Sequence, residues 1–309
     1  MDVLSDIFDT MRFRATGYFR TECSPPWAFA LETDARTARF HLVVQGRCHV
    51  GLGAGQTVAA SAGDLVVVQR GLAHTLADCA GRCATPLAPL IERSGHDGRN
   101  VVVLGEGTSH VAAQLVCGRF SFAAGADHPV LRALPSSIVI GAADRLRHPL
   151  LDDALRLVGH RAATGGLGAC AAMSRLSEVV YLETVRASIE RSPDLARIIG
   201  AMRDGSIGRA LEMLHETPGK PWSVETLAHA AGMSRSRFAE RFSALMGQPP
   251  MGYLAEWRLQ KALYLLAQQR FSVQDIARQV GYRSTAAFSR AFAQEFGIPP
   301  SGYKQPSDD

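Results

Sequence analysis

Two periodicities divide the chain. Up to about residue 122, apolar residues fall in short alternating or continuous runs rich in β-branched side chains and broken by glycine. FHLVVQGRCHVGL (40–52), QTVAASAGDLVVVQRGLAHTL (56–76) and AAQLVCGRFSF (112–122) read as strands and turns. Regularly spaced short strands predict an antiparallel barrel or double-sheet roll. From Pro149 the period becomes helical. HPLLDDALRLVGHRA predicts one helix, and ACAAMSRLSEVVYLETVRASIE, about 169–190, another. The segment Arg191–Leu195, with Pro193, marks the expected boundary before a wholly helical C-terminal region.

That last region repeats itself. Residues 223–253 read SVETLAHAAGMSRSRFAERFSALMGQPPMGY, and residues 272–303 read SVQDIARQVGYRSTAAFSRAFAQEFGIPPSGY. Val224, Leu227, Ala228 and Gly232 recur as Val273, Ile276, Ala277 and Gly281. One inserted residue later, Phe238, Phe242, Gly247, Pro249, Pro250, Gly252 and Tyr253 recur as Phe288, Phe292, Gly297, Pro299, Pro300, Gly302 and Tyr303. Each copy predicts two helices around a tight turn. Ser223 and Ser272 cap the first helix, Gly232 and Gly281 end it, and Ser234 and Ser284 cap the second. The second helix carries two phenylalanines one turn apart on a buried face. This is the helix-turn-helix plan. Tyr253–Gln268, amphipathic and without Pro or Gly, joins the copies and can hold two reading heads for successive major grooves, about 34 Å apart. A plain helical bundle explains the phenylalanines but not the duplication.

Charge supports an anionic partner. The net charge is +4, and residues 196–309 hold 14 Lys and Arg against 10 Asp and Glu, which accounts for the whole excess. Side chains opposite the phenylalanines are the expected base readers: Arg235, Ser236, Ala239 and Glu240 with Ser243 on the first recognition helix, and Thr285, Ala286, Ser289 and Arg290 with Ala293 on the second. Arg290 leads, because arginine can bond guanine O6 and N7 together. Arg237, Arg241, Arg258, Lys261 and Arg283 are phosphate contacts or solvated surface.

These motifs resemble the DNA-binding domain of AraC/XylS-type bacterial transcription regulators, over about residues 205–303. The resemblance implies a seven-helix domain with two helix-turn-helix units bridged by a long helix. It also implies an arginine at the place of Arg290, contact with RNA polymerase, and activation more than repression. Gly63–His74 resembles the second cupin motif, with Gln69 where proline is usual, and FHLVVQGRCHV resembles the end of the first. The N-terminal region is thus similar to the cupin-type sensor domains of one branch of these regulators. The expected fold class is α+β: an N-terminal antiparallel, cupin-like β-barrel with a helical extension, then an all-α double helix-turn-helix domain. The expected domains are 1–148 (sensor), 149–192 (helical dimerisation or linker region) and 196–309 (DNA binding).

Enzymatic cupins commonly bind a metal through two His and a Glu of the first motif and the His of the second. Here His74 remains, His41 is nearby, and Arg39 falls near the expected Glu. A cupin metalloenzyme fused to a DNA-binding domain is therefore the alternative to a sensor. The six cysteines are too few for a disulfide scaffold in a chain of 309 residues. His74, Cys79, Cys83 and Cys117 could hold zinc. Cys23 and Cys117 could form an oxidant-sensing pair. Cys48 and Cys117 equally suit a small buried hydrophobe, and Cys170, on a helix, suits a core or interface position. The sequence predicts a cytoplasmic, non-enzymatic regulator. Its expected partners are double-stranded promoter DNA, RNA polymerase, a small-molecule or oxidant effector and a second copy of the chain. No membrane is expected, since no apolar run reaches the ~18 residues of a span.

Overall fold

The computed structural model describes residues 2–53, 55–94, 101–105, 111–164 and 166–303. The strands are β1 (Arg14–Cys23), β2 (Ala28–Leu31), β3 (Thr37–Gln45), β4 (Arg47–Gly51), β5 (Thr57–Ser61), β6 (Leu65–Val68), β7 (His74–Ala77), β8 (Thr85–Pro86), β9 (Val101–Leu104), β10 (Ala113–Ser121) and β11 (Ser137–Ile140). The first helices are α1 (Val3–Thr10), α2 (Leu87–Arg93), α3 (Pro129–Ala133), α4 (Ala142–Arg145), α5 (Pro149–Thr164) and α6 (Ala169–Ala187). They are followed by α7 (Pro193–Arg203), α8 (Ile207–Glu216), α9 (Val224–Ala230), α10 (Arg235–Met246), α11 (Pro250–Ala267), α12 (Val273–Gln279) and α13 (Thr285–Phe296).

The chain folds into two compact units, neither contiguous in sequence. One contains Arg14–Ser121 and Pro135–Ser188; the other contains Met1–Phe13, Phe122–Leu134 and Ile189–Asp309. The expected sensor block, 1–148, is not one unit. The structure instead gathers α1 and α3 with the C-terminal helices, and α5 and α6 with the strands.

The strand unit is two sheets, ordered β11-β6-β3-β10-β1-β9 and β5-β4-β7-β2-β8. Pairing is antiparallel except where β9 joins β1 and β8 joins β2 in parallel. Alternation along the strands turns Cys23, Val43, Val66, Leu115 and Cys117 of one sheet toward Phe29, Cys48, Val50 and Leu76 of the other, in one buried core. The central strand β3 is covered on both faces, which explains why burial runs from Thr37 to Val43 without alternating. The outer face carries Phe40 and Phe120, with ring centroids 5.2 Å apart, and Tyr181 of α6 at 4.8 Å from Phe120. Gly118 is fixed by this packing, because a Cβ there would lie 2.1 Å from the Phe40 ring. The Tyr181 hydroxyl donates to Gln69 Oε1 at 2.9 Å. The glutamine that departs from the cupin pattern thus anchors the helical extension.

The helical unit repeats one motif. α9–α10 and α12–α13 are helix-turn-helix pairs, and α11 runs between them. The turns use Gly232 at φ +67° and Gly281 at φ +87°. Ser223, Ser272 and Ser284 accept from Thr226, Asp275 and Ala287 N–H as expected caps; Ser234 occupies the cap position without a side-chain bond. Phe238, Phe242, Phe288 and Phe292 are fully buried.

Candidate nucleic-acid interface and sensor core

Burying the phenylalanines fixes which faces of α10 and α13 are left outside. Arg235, Ser236, Glu240, Ala286 and Arg290 are exposed; Ala239, Thr285 and Ser289 are half-buried on the same sides. Arg290 makes no ion pair among the described residues, so its guanidinium can engage a ligand without first breaking a salt bridge. Arg235 pairs with Glu225 at 3.0 Å, with both side chains mostly exposed. The other basic residues separate into two sets. Arg258 donates to the carbonyls of Pro218 and Lys220, both at 2.8 Å, and Lys261 pairs with Asp6 at 2.6 Å. Those two hold the fold together. Arg237 and Arg283 remain exposed, and Arg241 pairs with Asp204.

A second polar feature of this unit had no signature in the sequence pattern. Asp6 of α1 lies among buried groups. His215 Nδ1 is 2.9 Å from Asp6 Oδ2, His215 Nε2 is 2.6 Å from Tyr253 Oη, and His128 Nε2 is 3.0 Å from the same oxygen. Hydrogen-bond logic assigns every proton. Val130 N–H donates to His128 Nδ1, so Nε2 of that ring carries the proton and donates to Tyr253. The tyrosine hydroxyl then donates to His215 Nε2, and His215 Nδ1–H donates to Asp6. Burial lowers both histidine pKa values. Burial works to raise that of Asp6, but bonds from His215 and Lys261 outweigh it and hold the carboxylate low. A carboxylate beside two neutral imidazoles and one ammonium thus ties α1 and α3 to α8 and α11.

The strand unit holds a similar relay. Cys117 Sγ is 3.0 Å from His41 Nδ1, His41 Nε2 is 2.8 Å from His74 Nε2, and His74 Nδ1 is 2.7 Å from the carbonyl of Leu72. The carbonyl can only accept, so His74 Nδ1 is protonated and its Nε2 is an acceptor. His41 therefore donates from Nε2, and the Cys117 thiol donates to His41 Nδ1. Burial pushes the His74 pKa down to about 4 and that of His41 well below normal, while it raises that of Cys117.

This arrangement does not suit the metal that cupin enzymes carry. Two imidazole nitrogens bound to one tetrahedral zinc at 2.0–2.1 Å stand about 3.3 Å apart. Here they share a proton at 2.8 Å. Arg39, where a carboxylate is expected, brings positive charge toward both rings. The proposed zinc set is also not assembled. His74 and Cys117 meet through His41, whereas Cys79 and Cys83 lie exposed in the turn after β7. Among the described residues no three His, Cys, Asp or Glu side chains are placed to hold an ion. The candidate thiol pair Cys23 and Cys117 lies in the buried core beside Cys48. Burial raises the Cys23 and Cys48 pKa values to about 12, which keeps both as protonated thiols. Cys170 is exposed on α6, which removes the core reading and leaves the interface one.

A duplicated helix-turn-helix joined through one helix, in a chain that also folds a cupin-like double sheet, defines a DNA-binding transcription regulator with a sensor unit. A cupin family model matches residues 2–190, and a helix-turn-helix domain model matches 227–306. The HTH-type transcriptional regulator AlkR of Acinetobacter baylyi is 33% identical, over 99% of this chain and all of its own. The RCS-specific HTH-type transcriptional activator RclR of Escherichia coli is 27% identical, over 82% of this chain and 90% of its own. The solved DNA-binding domain of AdpA, in complex with a target DNA, is 32% identical over 32% of this chain and 90% of that one, with a TM-score of 0.31. The chain belongs to the AraC family of transcription regulators, in the branch that carries a cupin domain.

Proposed function

We propose that α13 is the principal reading helix and that Arg290 specifies a guanine, with Thr285, Ala286 and Ser289 beside it in the major groove. The observation that carries this is an exposed arginine with no ion pair among the described residues, opposite a fully buried Phe288/Phe292 pair. On α10, Arg235, Ser236, Ala239 and Glu240 make the second, donor-poor contact. Arg237 and Arg283 meet phosphates. The cupin unit acts as a receiver of a small-molecule or oxidant effector, not as a catalyst. Relatives matched along nearly the full chain, all named as regulators of transcription, support that reading. The protein works in the cytoplasm, where it recruits RNA polymerase to promoters. No helix among the described residues is long and apolar enough to cross a membrane. A second copy docks through α5, where Leu150 and Leu157 stand exposed below Leu146.

The test is a footprint on a selected binding site. The wild type protects two major-groove segments one turn apart. Arg290→Ala keeps the α10 segment and loses discrimination at one base pair of the other. Unchanged specificity in that variant overturns the assignment.

A further inference from the structure

Six thiols are present, and the fold sorts them. Cys23, Cys48 and Cys117 are sealed in the core, and Cys170 stands exposed on α6. Cys79 and Cys83 are exposed together, in one loop. That loop runs from β7, which flanks one side of β2, to β8, which flanks the other. Ala80 and Gly81 form its bend, with Gly81 at φ +76°. Such a bend brings the Cα atoms of Cys79 and Arg82 within ~7 Å, and Cys83 is the next residue of the chain. Both sulfur-bearing residues line one cavity of about 600 Å³, together with Trp27 and Leu90. Arg82, between them, forms an ion pair with Asp78. Cys79 lies within hydrogen-bond reach of both these side chains.

We propose that Cys79 and Cys83 are an oxidative modification site, at which a two-electron oxidant of the peroxide class closes the turn with a disulfide. This deepens the reading of the cupin unit as a receiver and rests on it for its regulatory meaning only. The Cys79 sulfur attacks one peroxide oxygen; the S–O bond forms and the O–O bond breaks. The departing hydroxide takes the thiol proton and leaves as water. Cys83 sulfur then attacks the sulfenic sulfur; the S–S bond forms, the S–O bond breaks, and a second water leaves with the Cys83 proton. Two thiols are oxidised by two electrons, and peroxide is reduced to two waters. The Arg82 guanidinium supplies the charge that stabilises the departing oxygen. The core thiols lack both exposure and such a cation, so they stay reduced.

The experiment treats the full reduced chain with one equivalent of hydrogen peroxide, blocks remaining thiols with iodoacetamide, and maps the digest by mass. The expected result is a peptide holding Cys79 and Cys83 that is two hydrogens lighter and unalkylated, with Cys23, Cys48 and Cys117 alkylated only after denaturation. Cys83→Ser leaves Cys79 as a sulfenic acid that dimedone traps, and Cys79→Ser abolishes the disulfide. Arg82→Ala slows oxidation roughly tenfold, the worth of one charge-assisted hydrogen bond, while Arg82→Lys restores most of the rate. A first disulfide joining Cys23 to Cys117, or oxidation at Cys170 with Cys79 and Cys83 both alkylated, overturns the proposal. Binding of promoter DNA is measured on the same reduced and oxidised samples. A disulfide that forms without changing DNA affinity leaves the site standing and refutes its part in reception. Absence of DNA binding in both samples refutes the regulator reading instead.

Discussion

His74 carries its proton cost in the open. Its pKa is about 4 in the fold and near 6.5 in an unfolded chain. Between those values the unfolded chain holds the extra proton. The contribution is therefore complete above about pH 6.5 and drains as pH falls toward 4, by as much as ~3 kcal/mol. His41, His128 and His215 are shifted in the same direction. Urea midpoints should fall steeply from pH 7 to pH 4.5, and His74→Gln should flatten part of that slope. For the base contact proposed above, Arg290→Ala should cost about 1–3 kcal/mol on the cognate site and little on random sequence. Titrated binding to both duplexes checks it. The exposure of Arg290 was legible from the sequence because it sits at a fixed offset from repeated phenylalanines. The histidine relays were not, because their bonds join residues 33 to 209 positions apart and no local period encodes such pairs.

At the level of elements, the repeat foretold nearly everything about α9 to α13. Glycine turns, serine caps and one-turn phenylalanine spacing are short-range signals, and each copy corroborates the other. Ser284→Ala should lower stability by about 1 kcal/mol and Phe288→Ala by about 3–5 kcal/mol, read as shifts of the denaturant midpoint at unchanged slope. The strands were harder to read. The runs at 40–52 and 112–122 became β3, β4 and β10, but the parallel additions of β8 and β9 went unseen. Their pairing is set by where distant segments meet on β2 and β1, not by alternation within them. The expected zinc site failed for a related reason. Spacing along the chain put Cys79 and Cys83 near His74, yet strand alternation turns His74 inward while the following turn stays outside.

For the whole molecule, phosphate contacts make DNA affinity a function of salt. The logarithm of the binding constant should fall linearly with the logarithm of salt concentration, and Arg283→Ala should reduce the slope by about one. The Asp6 network adds a prediction at the same scale. Asp6→Asn removes the negative charge that neutralises Lys261, leaving an ammonium largely buried and over the Trp257 ring at 5.1 Å. That loss should cost about 3–5 kcal/mol in urea melts of the full chain. The partition of the chain was the least legible feature of all, because a sequence is read as consecutive blocks. The backbone passes from one unit to the other near residues 13, 121, 134 and 188. A gene fragment beginning at residue 196 therefore encodes both helix-turn-helix pairs but omits the segments that bury His215 and Trp257. Evolution can exchange the receiver of such a protein only by replacing two separate stretches of coding sequence in register, around an insert that belongs to the reader. Sensor and reader are inherited together, and swapping modules by a single crossover should yield misfolded chimeras.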